Sequence, residues 1–234
     1  WDVAEQALYW VDIPAGQLHR WTAADGAHQS WQAPQMLACI ARSANGSWIA
    51  GMEDGVYALT ANAQGKLDSR LLSAVEHGAK GMRFNDGRCD RMGNFVFSTM
   101  DAGEAVQTIG RFHRFNAATL KTETLDLPEV AIPNSICFSP DGSTMYYADS
   151  LQGCIFCCDY PSLENQRVFT TVNGQGAPDG SCIDAQGFLW NAEWGGSRVV
   201  RYAPDGRVDH VIESPCLHTT CPVLAGPGYK TLYS

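Results

Sequence analysis

A unit of short, aromatic-rich strands separated by Gly-containing turns repeats along the whole sequence. The first large apolar residues of these units recur every ~40–50 residues, which is the spacing of four-stranded propeller blades. The repeat predicts an all-β fold, a six-bladed β-propeller with four antiparallel strands per blade. A β-sandwich with irregular loops, the alternative all-β fold, does not account for the even spacing. The anchor residues of the six units are Leu8, Trp48, Phe95, Met145, Leu189 and Leu232.

The segments between the strands read as tight turns within a single domain. Asp-Gly or Asn-Gly pairs recur there and indicate short connections between strands. Helical periodicity is nearly absent, and no linker or low-complexity tract divides the chain, so residues 1–234 are predicted to form one β-propeller domain. Because the chain begins at Trp1 and ends at Ser234 within predicted blades, we expect the first and last blades to be cut at the chain ends.

Composition narrows the partners and the compartment. A net charge of −9 argues against a nucleic-acid partner, because phosphate binding needs a basic surface. No apolar run approaches the ~20 residues that span a bilayer, so we expect no membrane partner. The nine irregularly spaced cysteines indicate reduced thiols in a cytoplasmic protein. Cys154, Cys157 and Cys158 lie in a predicted strand without the further ligands of a zinc knuckle, and we interpret them as core residues.

Three oxygen-bearing side chains recur at nearly the same place in three successive units. Asn85, Asn134 and Asp179 stand ten, eleven and ten residues before the anchors of their units. Because the innermost strands of a propeller surround a central channel, we expect these side chains to be neighbours in space. Asn and Asp also stabilise turns through their own backbone, but turn residues need not share a register. Carboxylate and amide oxygens suit Ca²⁺, Mg²⁺ or Mn²⁺, and Zn²⁺ is a further alternative.

Arg83 lies two residues before Asn85 and is predicted to point to the same side of its strand. Its guanidinium could hold a substrate oxygen or pair with a carboxylate. Other chemistries have no local signature: the sequence contains no HExxH pair, no GxSxG elbow and no Gly-rich phosphate loop before a helix.

Several segments carry a family resemblance that extends along essentially the whole chain. They are ALYWVDI (7–13), RFNDG (83–87), STM (98–100), PNS (133–135), FSPDG (138–142), PDG (178–180) and WGG (194–196). Together they resemble the SMP-30/gluconolactonase/luciferin-regenerating-enzyme family. The resemblance implies a six-bladed propeller with one divalent metal ion in its channel, and enzymes that act on sugar lactones.

The resemblance also implies a metal site and a catalytic group. Asn134 and Asp179 match metal ligands, and Asn85 matches a position near the ion. Asp179 matches the residue usually assigned the base or water-activating role. The remaining ligand in the family is a Glu just before the first Trp, and the sequence begins at that residue, Trp1.

The substrate contacts implied by the resemblance lie in the same region. Arg83 and Asn85 match the substrate-contacting pair. The family places an acidic contact after the Thr-Met pair, and here Asp101 or Glu104 could serve.

These observations predict a metal-dependent lactonase, a carboxylic ester hydrolase similar to gluconolactonase. The divalent ion would polarise the lactone carbonyl and activate water; Ca²⁺ is the expected ion, with Zn²⁺, Mn²⁺ and Mg²⁺ as alternatives. The expected partner is a small-molecule lactone, bound by a monomer or weak homo-oligomer. The alternatives are a non-enzymatic metal-binding propeller with a regulatory or ligand-binding role, and an esterase or phosphotriesterase-like hydrolase at the same metal.

Overall fold

Within each sheet of the computed structural model, which describes all 234 residues, consecutive strands pair antiparallel. One three-stranded and four four-stranded sheets form five consecutive blades of a β-propeller, and a two-stranded sheet follows them. The only helix is a single 3₁₀ turn at Pro227–Tyr229. No helix has the length and apolar character needed to cross a membrane.

The blades follow one another in chain order. Blade one contains β1 (Ala7–Asp12), β2 (Gln17–Thr22) and β3 (His28–Gln32). Blade two contains β4 (Leu37–Arg42), β5 (Trp48–Met52), β6 (Gly55–Ala61) and β7 (Leu67–Ala74). Blade three contains β8 (Met82–Cys89), β9 (Phe95–Asp101), β10 (Arg111–Asn116) and β11 (Lys121–Thr124).

The second half of the chain continues in the same way. Blade four contains β12 (Pro133–Phe138), β13 (Thr144–Asp149), β14 (Cys154–Asp159) and β15 (Arg167–Thr171). Blade five contains β16 (Ala177–Ile183), β17 (Leu189–Trp194), β18 (Arg198–Tyr202) and β19 (Val208–Glu213). The last sheet pairs β20 (Val223–Ala225) with β21 (Thr231–Tyr233).

The repeat that predicted the fold corresponds to one strand of each sheet. In the four-stranded blades the anchors Trp48, Phe95, Met145 and Leu189 all lie in the second strand. The prediction of an all-β propeller is therefore confirmed. Five blades are present in the structure, whereas the sixth blade and the cutting of the end blades stay predictions.

The apolar core is divided among the interfaces between consecutive blades. Alternate residues of one strand point to opposite faces of a sheet, so a strand such as β13 supplies two interfaces. Tyr147 packs with Phe112 of blade three, with ring centroids 5.0 Å apart. The adjacent Tyr146 packs with Leu189 of blade five. The pattern makes each blade a layer between its neighbours and leaves the inner strands to line the channel.

The cysteine segment of blade four agrees with the prediction of core cysteines at two of its three positions, because Cys154 is only half-buried. Cys154, Cys157 and Cys158 lie in β14, and the latter two are buried in the interfaces on either side of the blade. All nine cysteines are free thiols.

Candidate active site in the central channel

The inner strands of blades three, four and five each carry the same irregularity. In the pairings of β8 with β9, β12 with β13 and β16 with β17, two residues of the inner strand oppose a single residue of the second strand. Such a bulge bends the strand and re-aims side chains. The two-residue bulges are 85–86, 135–136 and 179–180.

The bulges explain the spacing seen in the sequence. Asn85 and Asp179 are the first residues of their bulges, and each stands ten residues before its anchor. Asn134 stands eleven before, because it directly precedes the bulge of β12. The equivalent place in blade four belongs to Ser135, whose backbone adopts a left-handed conformation with φ of 60°. The three predicted residues therefore lie at adjoining rather than identical positions.

Three of the predicted residues form a continuous chain of hydrogen bonds at the end of the channel where the inner strands begin. Arg83 Nη1 donates to Asn85 Oδ1 over 2.9 Å and to the carbonyl of Phe84 over 2.8 Å. Asn85 Nδ2 donates to Asn134 Oδ1 over 3.1 Å and to the carbonyl of Pro133 over 2.8 Å. Arg83 has no carboxylate within ion-pair distance, and burial lowers the pKa of its guanidinium. The site thus contains a partly desolvated cation without an acidic partner.

Asp179 enters the site from blade five. Its Oδ2 accepts a hydrogen bond of 3.1 Å from the backbone N–H of Cys221. Burial raises the pKa of its carboxyl, while the amides of Gly180 and Cys221 act in the opposite direction. No Arg or Lys side chain forms an ion pair with it. Gly180 permits this arrangement, because a Cβ there would lie 2.5 Å from Cys221 Cα.

A serine connects Asn134 with the backbone beside Asp179. Asn134 Nδ2 donates to Ser150 Oγ over 2.9 Å, and Ser150 Oγ donates to the carbonyl of Pro178 over 2.6 Å. The structure therefore joins Arg83, Asn85 and Asn134 directly, and brings the residue before Asp179 into the same network.

A second set of polar contacts starts at the second residues of two bulges, Asp86 and Ile136, and continues along the channel. Asp86 Oδ2 accepts a 2.7 Å hydrogen bond from Ile136 N, and Arg88 Nε donates to Ile136 O over 3.0 Å. Arg88 Nη2 continues to Ser181 O over 2.9 Å. Burial raises the pKa of Asp86, and the nearby charge of Arg88 opposes that rise. These side chains connect the inner strands of three blades, which do not pair with one another.

The two acidic residues predicted to contact substrate lie in different environments. Asp101 is buried at the end of β9, and its two oxygens accept hydrogen bonds from Gly103 N (2.9 Å) and Gln107 N (3.1 Å). It therefore shapes the loop between β9 and β10. Glu104 is exposed on that loop and makes no hydrogen bond or ion pair.

Several residues of the network were not predicted from the sequence. They are Ser135, Ser150, Ser181, Asn191, Asp86, Arg88 and the backbone amide of Cys221. The sequence did contain a signal that could have identified Ser135, namely its position directly after Asn134. Asn191 also had one, as the only polar residue in the otherwise apolar run from Leu189 to Ala192.

The donor chemistry at this end of the channel suits a hard cation. No three or more His, Cys, Asp or Glu side chains are grouped so that they could hold a metal ion by themselves. Its oxygen donors here are one carboxylate, Asp179, and the amide oxygens of Asn134 and Asn85. The Asp179 carboxylate is partly buried and lacks a cationic side chain, so a divalent ion would supply the missing positive charge. The residues present therefore fit such an ion.

The whole chain, residues 1–234, matches the family described as the SMP-30/gluconolactonase/LRE-like region. The protein belongs to this family. Its membership agrees with the resemblance carried by the segments around Arg83, Asn134 and Asp179, which the structure brings to one end of the channel.

Two relatives and one solved structure extend the comparison. The chain is 40% identical to an L-arabinolactonase of Azospirillum brasilense, over 97% of the chain and 76% of the relative. It is 33% identical to a 6-deoxy-6-sulfogluconolactonase of Pseudomonas putida, over 100% and 80%. Among solved structures it resembles regucalcin of Agrobacterium tumefaciens, described as a calcium-binding protein, with a TM-score of 0.89. That match has 31% identity and covers 99% of the chain and 78% of the other.

Proposed function

We propose that the protein is a lactonase that hydrolyses the cyclic ester of a sugar lactone at this end of the channel. The observation that carries the proposal is the hydrogen-bond network that joins an unpaired guanidinium and two amide side chains to the backbone directly before Asp179, whose partly buried carboxylate has no cationic partner. The names of the arabinolactonase and sulfogluconolactonase relatives support the same reaction and a sugar-derived substrate.

The proposal includes one divalent metal ion held by Asp179, Asn134 and Asn85. Ca²⁺ is the ion we expect, with support from the calcium-binding regucalcin structure, and Zn²⁺, Mn²⁺ and Mg²⁺ are the alternatives to test. When bound, such an ion supplies Lewis-acid polarisation of a carbonyl and acidifies water.

Asp179 is the proposed general base. Its carboxylate would accept a proton from the water whose oxygen attacks the lactone carbonyl carbon, a role that typically contributes ~10²–10⁴-fold to the rate. The bond between the carbonyl carbon and the ring oxygen then breaks. The ring oxygen leaves as a hydroxyl after it takes up a proton, and the open-chain carboxylic acid ionises at neutral pH.

Arg83 and Asn85 are the proposed substrate-binding pair. Arg83 has donors that meet no carboxylate, so they can satisfy hydroxyl or carbonyl oxygens of the substrate, and Asn85 holds the guanidinium in place. We retain Asp101 and Glu104 as proposed acidic contacts. Asp101 would act through the loop that it organises, and Glu104 would act directly from the exposed part of that loop.

Two further features belong to the proposal. We treat β20–β21 as part of a sixth blade, because Leu232 lies in the second strand of its sheet as the anchors of blades two to five do. We also propose a reducing compartment, the cytoplasm, because all nine cysteines are free.

The test is hydrolysis of a panel of pentono- and hexonolactones, followed by acid release with a pH indicator. Each lactone is measured after treatment with EDTA and again after addition of Ca²⁺, Mn²⁺, Mg²⁺ or Zn²⁺. Activity that chelation removes and one ion restores is the expected result. Tight ion binding with no turnover of any lactone would contradict the proposal and favour a non-enzymatic binding propeller.

A further inference from the structure

Asn191 lies on β17 directly behind the bulge that carries Asp179, and its side chain is fully buried. Its Nδ2 lies 3.1 Å from the carbonyl oxygen of Asp179 and 3.3 Å from that of Gly180. The same nitrogen lies 3.1 Å from Ser135 Oγ and 3.0 Å from Ser181 Oγ. One amide group therefore meets both carbonyls of the blade-five bulge and two hydroxyls beside it.

The hydroxyls extend this cluster to blade four. Ser135 Oγ donates to the carbonyl of Asp179 over 2.6 Å, and Ser181 Oγ donates to Ser135 Oγ over 3.0 Å. Ser135 directly follows Asn134 in the chain. We call Asn191, Ser135 and Ser181 the bulge clamp. Through Ser135, the clamp joins the backbone of Asp179 in blade five to blade four, directly beside Asn134.

The other end of the Asn191 side chain argues against a role in packing alone. Its Oδ1 is buried and has no hydrogen-bond partner. A buried polar atom without a partner is unfavourable, and an apolar side chain would avoid that cost. The position therefore keeps a donor for the bulge at the expense of an unsatisfied acceptor, a compromise more typical of functional sites than of cores.

We propose that Asn191 is a positioning residue for the reaction, which holds the Asp179 bulge against blade four and so fixes the Asp179 carboxylate relative to Asn134. The proposal rests on the function proposed above for that site. Residues that orient metal ligands typically change ion affinity or activity by about 10–100-fold when replaced. Small displacements of reacting groups have effects of similar size.

The test compares Asn191→Val with a control in the same blade, Tyr202→Phe. The control also removes one buried hydrogen bond, from Tyr202 to Glu193 Oε1 at 3.1 Å, but the Tyr202 hydroxyl makes no hydrogen bond to the bulge. We expect Asn191→Val to lower kcat about tenfold with little change in KM and to weaken Ca²⁺ binding about tenfold. A chromophoric chelator in competition reports that binding. Tyr202→Phe should change neither quantity, whatever its effect on thermal stability.

Asn191→Ser keeps a single shorter donor and covers the case in which the valine variant fails to fold. We expect the kcat and the Ca²⁺ affinity of this serine variant to lie between those of wild type and those expected for Asn191→Val. Wild-type kcat and wild-type ion affinity in a folded Asn191 variant of reduced stability would overturn the proposal, because the side chain would then serve stability alone.

Hydrogen exchange separates this inference from the proposed function. The amide of Cys221 donates to Asp179 Oδ2, so its exchange reports the position of the carboxylate without substrate or ion. If wild type hydrolyses no lactone, the proposed function fails, yet faster Cys221 exchange in the Asn191 variants than in Tyr202→Phe still supports the clamp. Unchanged Cys221 exchange in the Asn191 variants overturns the clamp even if wild type is an active lactonase.

Discussion

The blade interfaces and the channel wall of this propeller are held together in different ways. At the interfaces, aromatic and aliphatic side chains pack across neighbouring sheets, as Phe112 and Tyr147 do. In the channel wall, the inner strands approach without pairing, and polar side chains such as Asp86, Ser135 and Arg88 connect their backbones. Stability should therefore depend mainly on the first region, and the geometry of the site on the second.

The difference follows from the kind of interaction that stabilises each region. An apolar interface is non-directional, and its contribution follows the area that is buried. The channel wall contains bulged backbone whose carbonyl and amide groups need individual partners, so each polar contact there has a specific direction. Asp179 illustrates the result, since its carboxylate is desolvated yet satisfied only by backbone amides.

The largest expected effect is on activity, in the channel wall. Asp179→Asn should lower kcat by ~10²–10⁴-fold, because the proposed base is removed while the shape of the side chain is kept. Its free energy of unfolding should not fall, since a desolvated carboxylate is replaced by a neutral amide. Lactone hydrolysis and urea unfolding of the same preparation check both statements.

The matched control is Asp184→Asn. Asp184 is paired with Arg201 at 2.6 Å and also accepts hydrogen bonds from backbone amides. This variant should lose stability and keep its kcat, the opposite of Asp179→Asn. Retained activity in Asp179→Asn would mean that this channel-wall carboxylate, like the interface side chains, does not take part in catalysis.

The next effect is on stability, at an interface. Phe112→Ala removes a ring that is 1% exposed and should lower the free energy of unfolding by about 3–5 kcal/mol. At temperatures where the variant stays folded, kcat should remain close to that of wild type. Chemical denaturation and initial-rate measurements test the two regions separately. A loss of kcat far beyond the unfolded fraction would show that interface packing also sets the geometry of the channel.

The two regions also differ in how far the sequence predicts them. Strand alternation and repeat spacing predict the interfaces. The repeat spacing also predicts the shared position of Asn85 and Asp179, which stand at the same distance from their anchors. Asn134 departs by one residue because the bulge of β12 begins after it, at a left-handed Ser135. Ser150 and the Cys221 amide could not be predicted, because their contacts depend on how closely segments of different blades approach. Asn191 stood out in the sequence as a polar residue in an apolar run, but its partners depend on the course of the bulged backbone.

A smaller effect concerns a titratable group placed among apolar rings. His113 stacks on Phe97 with ring centroids 5.2 Å apart and contacts the hydroxyls of Thr99 and Thr124. Burial, helped by the charges of His77 and Arg111, lowers the pKa of His113 from 6.5 to about 4. The unfolded state therefore binds more protons between these two pH values. Stability should fall as pH drops from 6.5 toward 4, by about 3 kcal/mol from this group.

Urea unfolding at several pH values tests this contribution. His113→Gln should flatten the pH dependence between 4 and 6.5, because the glutamine does not titrate. His210→Gln, at an exposed position of β19, should keep the wild-type dependence. An equal slope in the two variants would contradict the assignment of the acid sensitivity to the buried imidazole.

The smallest effect is expected on the loop between β9 and β10, which carries the two proposed acidic contacts. Glu104 is exposed, and interactions of exposed charges are weak, so Glu104→Gln should raise KM by about fivefold or less and leave kcat unchanged. Asp101→Asn should act differently, because it weakens one of the two bonds that hold the loop, to Gly103 N or Gln107 N. Faster hydrogen exchange of the loop in that variant, together with a higher KM, would assign Asp101 to loop geometry. A higher KM without faster exchange would instead assign it to direct contact with the lactone.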